Sequence, residues 1–254
     1  MNLTEYIREK RKTKEILFMA HLVCGYPDFE VNKEVIRIMV EMGVDLIELQ
    51  IPFSEPIADG PVILKANQLS LERGTRVGDC LSLMKEVSNQ YPIPFLFMTY
   101  YNILFSRTVD TFVRETQATG GSGVIVPDIT PEEGDEYLEA CRKHQISPIL
   151  LMTPNTSQER LRLIAQAGDG FFYCVARKGV TGAKTRLSQE TIEFIQRCRQ
   201  ATDLPLAVGL GISSREDFEY LAGKVDIAVI GSAILRTIEQ GGYQALKIFL
   251  EKLS

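Results

Sequence analysis

The chain has 254 residues, 45% of them hydrophobic and 24% charged, with a formal net charge of −5. That length suits one large domain with a sizeable core, and the acidic balance excludes a nucleic-acid footprint, which needs a basic patch. Two histidines, His21 and His144, are too few for a histidine-rich metal site.

The N-terminal stretch MNLTEYIREKRKTKE reads as a charged amphipathic helix. The apolar run ILFMAHLV (16–23) follows; it is too short to span a bilayer and lacks the small-residue cleavage site of a signal peptide. A cytoplasmic location is therefore expected. Cys24, Cys80, Cys141, Cys174 and Cys198 are scattered with no CxxC pair, which fits reduced, buried thiols.

From there short apolar runs alternate with helical patterns. NKEVIRIMVEM (32–42) spaces Val35, Ile38, Met39 and Met42 at helical intervals, and VDLIELQ (44–50) is the second strand. GDCLSLMKEVSNQ precedes the third, PFLFMTY (94–100); VDTFVRETQAT precedes the fourth, SGVIVPD (122–128). PEEGDEYLEACRKH leads to SPILLM (147–152), SQERLRLIAQA to GFFYCV (170–175), and LSQETIEFIQRCRQA to PLAVGL (205–210). SREDFEYLAG precedes DIAVIGS (226–232), and GYQALKIFLEKL closes the chain. Several helical patterns open with Asp, Ser or Pro, which start helices. Runs this rich in Val, Ile, Leu and Phe, with little polar alternation, mark parallel strands buried on both faces. Eight of them alternating with helices predict a (β/α)8 TIM barrel filling residues 1–254 as one domain, with an extra N-terminal helix. An open doubly wound sheet is the alternative.

One strand breaks the apolar pattern. Val44, Leu46 and Glu48 alternate onto one face of strand 2, with Ile47 and Leu49 on the other. If the first face points inward, Glu48 sits at the carboxyl end of the barrel interior, where barrels carry their chemistry. The loop IPFSEPIADGP (51–61) follows, stiffened by Pro52, Pro56 and Pro61, and it sets Asp59 above Glu48. A carboxylate there is costly unless paired or used; the alternative is a Glu48 satisfied by a buried hydrogen bond and an Asp59 that merely makes a turn.

Glycine-bearing segments follow the last three strands: ARKGVTGAKTR with Gly179 and Gly182, GLGISS with Gly209 and Gly211, and IGSAIL, where Gly231 and Ser232 open a short helix. Glycine turns and a helix N-terminus let backbone N–H groups converge on an anion, so a phosphate site is predicted there. No GxGxxG opens a βαβ unit, which argues against a dinucleotide.

The motifs IELQIPFSEPIADGP, GVTGAKTR, GLGIS and IGSAI, running in order from GYPD (25–28) to SAIL (232–235), resemble the tryptophan synthase alpha subunit family. The resemblance implies a (β/α)8 lyase that cleaves indole-3-glycerol phosphate to indole and glyceraldehyde 3-phosphate without a cofactor or metal. Such a chain passes indole to a beta subunit in an α2β2 heterotetramer. By position, Glu48 matches the acid–base catalyst and Asp59 its partner carboxylate. Tyr173 matches an active-site tyrosine, Thr181 a threonine on a mobile loop, and Gly182, Gly211, Gly231 and Ser232 the phosphate site. The resemblance also sets Pro52, Glu55, Pro56, Asn102, Phe105 and Thr130 against the beta subunit. His21, Tyr26, Gln50, Glu55, Thr130 and Leu210 depart from the residues usual in the family. His21 reads either as a satisfied core histidine or as a neighbour that perturbs Glu48. These departures motivate a second reading, a catalytically weak chain that mainly activates its beta subunit. A third reading is another phosphate-binding barrel of tryptophan or histidine biosynthesis.

Overall fold

The computed structural model describes residues 2–175, 189–209, 212 and 214–253. Its sheet is all parallel, in the order β5-β4-β3-β2-β1-β9-β8-β7-β6. The strands are β1 (Leu17–Val23), β2 (Leu46–Gln50), β3 (Phe95–Met98), β4 (Gly123–Ile125), β5 (Ser147–Ile149), β6 (Leu151–Met152), β7 (Phe172–Cys174), β8 (Leu206–Gly209) and β9 (Ile227–Ile230). The two sheet ends, β5 and β6, are halves of one predicted strand, separated by Leu150 alone. Sequence continuity therefore joins the ends of the sheet, and the architecture is the expected barrel rather than an open doubly wound sheet.

Helices wrap the barrel: α1 (Leu3–Arg11), α2 (Phe29–Glu41), α3 (Pro61–Glu72), α4 (Val77–Gln90), α5 (Tyr101–Ser106), α6 (Val109–Ala118), α7 (Asp135–His144), α8 (Gln158–Ala167), α9 (Gln189–Arg199), α10 (Arg215–Leu221) and α11 (Ser232–Leu253). Local chemistry sets their starts. The Asp28 carboxylate accepts from Val31 N–H, Ser157 caps Arg160 N–H, and Ser214 forms a reciprocal capping box with Asp217. Pro61 occupies the first turn of α3, where its missing N–H has no cost. Gly242, at φ 62°, breaks α11 into the short helix after β9 and the closing helix.

The core has two parts. The larger lies between the sheet and its helices, built from residues such as Ile47, Leu49, Phe95, Phe97 and Val208. The smaller fills the barrel: Leu17, Met19, Leu46, Leu96, Ile125, Ile149, Phe171, Ala207, Ile227 and Val229. Leu3 and Ile7 of α1 belong to this inner set and close the amino-terminal end of the barrel. Leu46 and Glu48 lie on the inner face as expected. Val44 does not: it precedes β2, so strand alternation does not reach it, and it packs in the outer layer.

Candidate active site

β1 and β2 pair so that Met19 stands beside Leu46 and His21 beside Glu48. The same alternation that aims Met19 and Leu46 into the barrel aims His21 and Glu48 at its carboxyl end. Glu48 is 3% exposed and His21 4%. His21 Nδ1 hydrogen-bonds Glu48 Oε1. Of the alternatives that the sequence left open, His21 is the neighbour that contacts Glu48, and Glu48 is half of a buried pair. Burial disfavours a charged His21, yet the adjacent Glu48, with Asp59 and Gln50 adding to its effect, outweighs this and raises the His21 pKa. His21 Nε2 and Glu48 Oε2 are buried without a hydrogen-bond partner among the described residues.

Asp59 is held from two sides. Gln50, at the end of β2, donates its Nε2 to Asp59 Oδ2 at 2.5 Å, and the Tyr100 hydroxyl donates to the same oxygen at 3.3 Å. Tyr100 also accepts from Ala58 N–H at 3.1 Å and stacks on Phe53, with ring centroids 5.1 Å apart. Asn67 of α3 accepts from Phe53 N–H at 3.0 Å. The loop between β2 and α3 is therefore tied to the barrel at Phe53, Ala58 and Asp59. Burial raises the Asp59 pKa, while the hydrogen bonds from Gln50 and Tyr100 oppose the rise.

These groups open on one cavity of about 460 Å³. His21, Glu48, Asp59, Thr153, Tyr173 and Ser232 are its polar side chains; Ile57, Ile63, Met98, Ile125, Leu151, Ile212 and Val229 supply apolar walls. Burial, with the charges of Glu48 and Asp59 adding to it, raises the Tyr173 pKa well above the phenol range and keeps the hydroxyl protonated. Two glycines make room for this lining. A Cβ on Gly231 would stand 3.1 Å from His21 Cβ, and one on Gly209 would stand 3.0 Å from the Tyr173 hydroxyl. Gly231 and Ser232 lie at the rim, where α11 begins. The N–H groups of that first turn have no intrahelical partner and suit an anion. Such a chamber fits a flat apolar ring flanked by carboxyl groups, with an anionic tail at the rim.

The structure thus gathers Glu48, Asp59, Tyr173, Gly231 and Ser232 around one cavity. Thr181, Gly182 and Gly211 lie outside the described residues, as do Gly179 and Leu210. Sequence reasoning singled out Gln50 only as a departure from a pattern and His21 also as a candidate neighbour of Glu48; their contacts with Asp59 and Glu48 depend on loop return and strand register. Among the described residues no group of three or more His, Cys, Asp or Glu side chains is arranged to hold a metal ion, and no helix is long and apolar enough to cross a membrane. All five cysteines are buried and free.

On the outer rim, Glu55, Asn102 and Phe105 are exposed, Phe105 by 68%, and Thr130 is partly so. Pro52 and Pro56 are buried; they shape the loop instead of offering surface. Ile57, which the sequence reading passed over, is 74% exposed.

The family model described as "Tryptophan synthase alpha chain" matches residues 7–252. A tryptophan synthase alpha chain of Desulforapulum autotrophicum is 52% identical over 252 residues, spanning 99% of this chain and 100% of the relative. Among solved structures, Mycobacterium tuberculosis tryptophan synthase superposes with a TM-score of 0.93 at 33% identity, covering 99% of this chain and 96% of that one. A Pyrococcus furiosus tryptophan synthase complex superposes with a TM-score of 0.84 at 29% identity, covering 93% of this chain and 96% of that one.

Proposed function

This chain belongs to the tryptophan synthase alpha chain family, and from that premise we propose that Glu48 and Asp59 are the two carboxyl groups with which it cleaves indole-3-glycerol phosphate to indole and glyceraldehyde 3-phosphate. The reaction is a retro-aldol cleavage, and an intact aromatic indole is a poor acceptor for the electrons of the breaking bond. A proton must first reach indole C3. The Glu48 carboxyl delivers it, and the positive charge that develops on the ring nitrogen is stabilised by the Asp59 carboxylate. The resulting Glu48 carboxylate then takes the proton of the C3′ hydroxyl. The C3–C3′ bond breaks, the aldehyde forms, and the bonding pair restores the aromatic indole. Two carboxyls in unlike surroundings thereby take unlike roles.

The observation that carries this reading is the shared cavity. Glu48, with one free carboxyl oxygen, and Asp59, fixed by Gln50 and Tyr100, line the same largely apolar chamber. In the same reading Tyr173 borders the indole. Gly231 and Ser232, with Gly182 and Gly211, hold the phosphate, and Thr181 closes toward Asp59.

Indole passes to a beta subunit, and the cytoplasm is the proposed location. Glu55, Asn102, Phe105 and Thr130 offer the docking surface in an α2β2 assembly, while Pro52 and Pro56 hold the loop in shape. The whole chain, 1–254, serves as one domain. Nothing favours the alternative of a catalytically weak activator. The test is product formation. Supplied with indole-3-glycerol phosphate, the chain together with its beta subunit should release glyceraldehyde 3-phosphate and pass on one indole per cleavage. Absence of both products would overturn the reading.

A further inference from the structure

We propose that His21 and Glu48 work as one proton-storing pair, in which His21 Nδ1–H stays on Glu48 Oε1 while a single exchangeable proton resides on either His21 Nε2 or Glu48 Oε2. His21 is then a positioning residue for the cleavage, acting through Glu48. The inference rests on the proposed role of Glu48 and goes beyond it.

Four observations carry it. The two side chains stand in register on adjacent strands, joined through Nδ1 and Oε1. That contact assigns one oxygen of the carboxyl and leaves the other for chemistry. The two atoms that remain, His21 Nε2 and Glu48 Oε2, are both buried without a partner among the described residues, and both side chains line the cavity. A buried polar atom left unsatisfied costs about 1–3 kcal/mol, so two such atoms on side chains that line one chamber mark where a polar ligand group or a moving proton belongs. Finally, Gly231 is the residue that admits the ring, since a Cβ there would press on it.

Charge supports the same arrangement. The groups facing His21 are Glu48 and Gln50 from β2, Asp59 from the following loop and Tyr173 from β7, while Gly231 approaches it from the junction of β9 and α11. No Lys or Arg lines the cavity among the described residues. An imidazolium there would be the one positive charge facing two carboxyl groups among the described lining residues, and the His21 pKa is raised despite burial.

The proton count balances over a turnover. The loaded pair is either imidazolium with carboxylate or neutral imidazole, protonated on Nδ1, with a carboxylic acid protonated on Oε2. Donation from Oε2 to indole C3 leaves neutral imidazole and carboxylate. Oε2 then accepts the C3′ hydroxyl proton as the carbon–carbon bond breaks, and the pair is loaded again. A carboxyl alone near neutral pH would often lack the proton this cycle starts with; the pair retains it up to the elevated imidazole value.

The test uses the two histidines of the chain. Long-range ¹H–¹⁵N spectra of the intact protein, with His144→Asn to assign His144, follow His21 from pH 5 to 9. His21 should remain doubly protonated above the ordinary imidazole value, and Glu48→Gln should lower its titration by at least one pH unit. A His21 that is neutral at pH 6, or one unmoved by Glu48→Gln, overturns the proposal whether or not the chain cleaves its substrate. In the lyase assay His21→Gln retains a donor for Oε1 but cannot store the proton. It should lose at least tenfold in kcat with KM changed less than threefold. Wild-type kcat in His21→Gln would also overturn the proposal. Loss confined to KM would instead assign His21 to substrate fit and overturn it as well.

Discussion

At the scale of the residue, Glu48 shows what a sequence can and cannot disclose. Its alternation with Leu46, and its place at the end of an apolar strand before a proline-stiffened loop, were sufficient to put it at the catalytic end of a barrel. Its partner was legible only as one of two readings of His21, because the contact depends on how β1 and β2 register. The same limit hid the Gln50–Asp59 bond, which forms only when the loop folds back over its own strand. The pair has a consequence for stability. The pKa of His21 is raised in the folded chain, so the folded state binds a proton that the unfolded state releases sooner as pH rises. The stabilisation is therefore full below the unfolded imidazole value, about 6.5, and is lost as pH climbs through the elevated folded value. Denaturant midpoints measured from pH 5.5 to 9 should fall across that upper window in the native chain. His21→Phe should flatten that part of the profile. A native midpoint independent of pH from 6 to 9 would contradict the linkage.

Elements position these side chains more than they supply chemistry, and the loop between β2 and α3 is the one with most at stake. Its prolines were visible in the sequence, but its anchors were not: Tyr100 reaches it from just after β3 and Asn67 from α3. Helix α3 itself escaped the periodicity argument. PVILKANQLSLE mixes apolar and polar residues on both faces, with Ile63, Ala66, Asn67 and Ser70 buried, so no clean stripe marks it. The predicted fifth strand divides at Leu150 for a reason of pairing: β5 bonds to β4 and β6 to β7, so each half serves a different neighbour. Tyr100→Phe removes the acceptor of Ala58 N–H and a donor to Asp59. It should destabilise the fold by about 0.5–1.5 kcal/mol and slow cleavage by leaving Asp59 less well held. An unchanged melting midpoint with unchanged kcat would show that the loop does not depend on Tyr100. At the start of α11, Gly231→Ala should weaken binding of inorganic phosphate and perturb the His21 resonance together, because the new methyl group would meet the imidazole stem. A shift in one without the other would separate the rim from the pair.

For the whole molecule, the barrel was the most legible feature, since eight buried runs alternating with helices admit few closed solutions. The proposed docking surface was less so. Surface residues carry no periodic signal, and Ile57 stands out only once its exposure is known. Ile57 and Phe105 are large apolar side chains left in solvent near the catalytic loop. In the proposed assembly they are the candidate anchors of the beta-subunit interface. Phe105→Asp should weaken beta-subunit binding by about 2 kcal/mol, roughly thirtyfold, without altering the melting midpoint of the isolated chain. Titration calorimetry with the beta subunit checks this, and undiminished affinity would place the interface elsewhere. By linkage, a substrate analogue that favours the ordered loop should tighten beta-subunit binding by the factor with which the partner tightens analogue binding.

In the proposed mechanism Glu48 moves the protons of cleavage. The most direct measurement is the single-turnover rate of indole formation from indole-3-glycerol phosphate, with the beta subunit present, for the native chain and for Glu48→Gln. Glutamine retains the size of the side chain and cannot exchange the proton. The rate should fall by about 10²–10⁴, with the melting curve still cooperative. A folded Glu48→Gln chain that cleaves its substrate at a near-native rate would contradict the account.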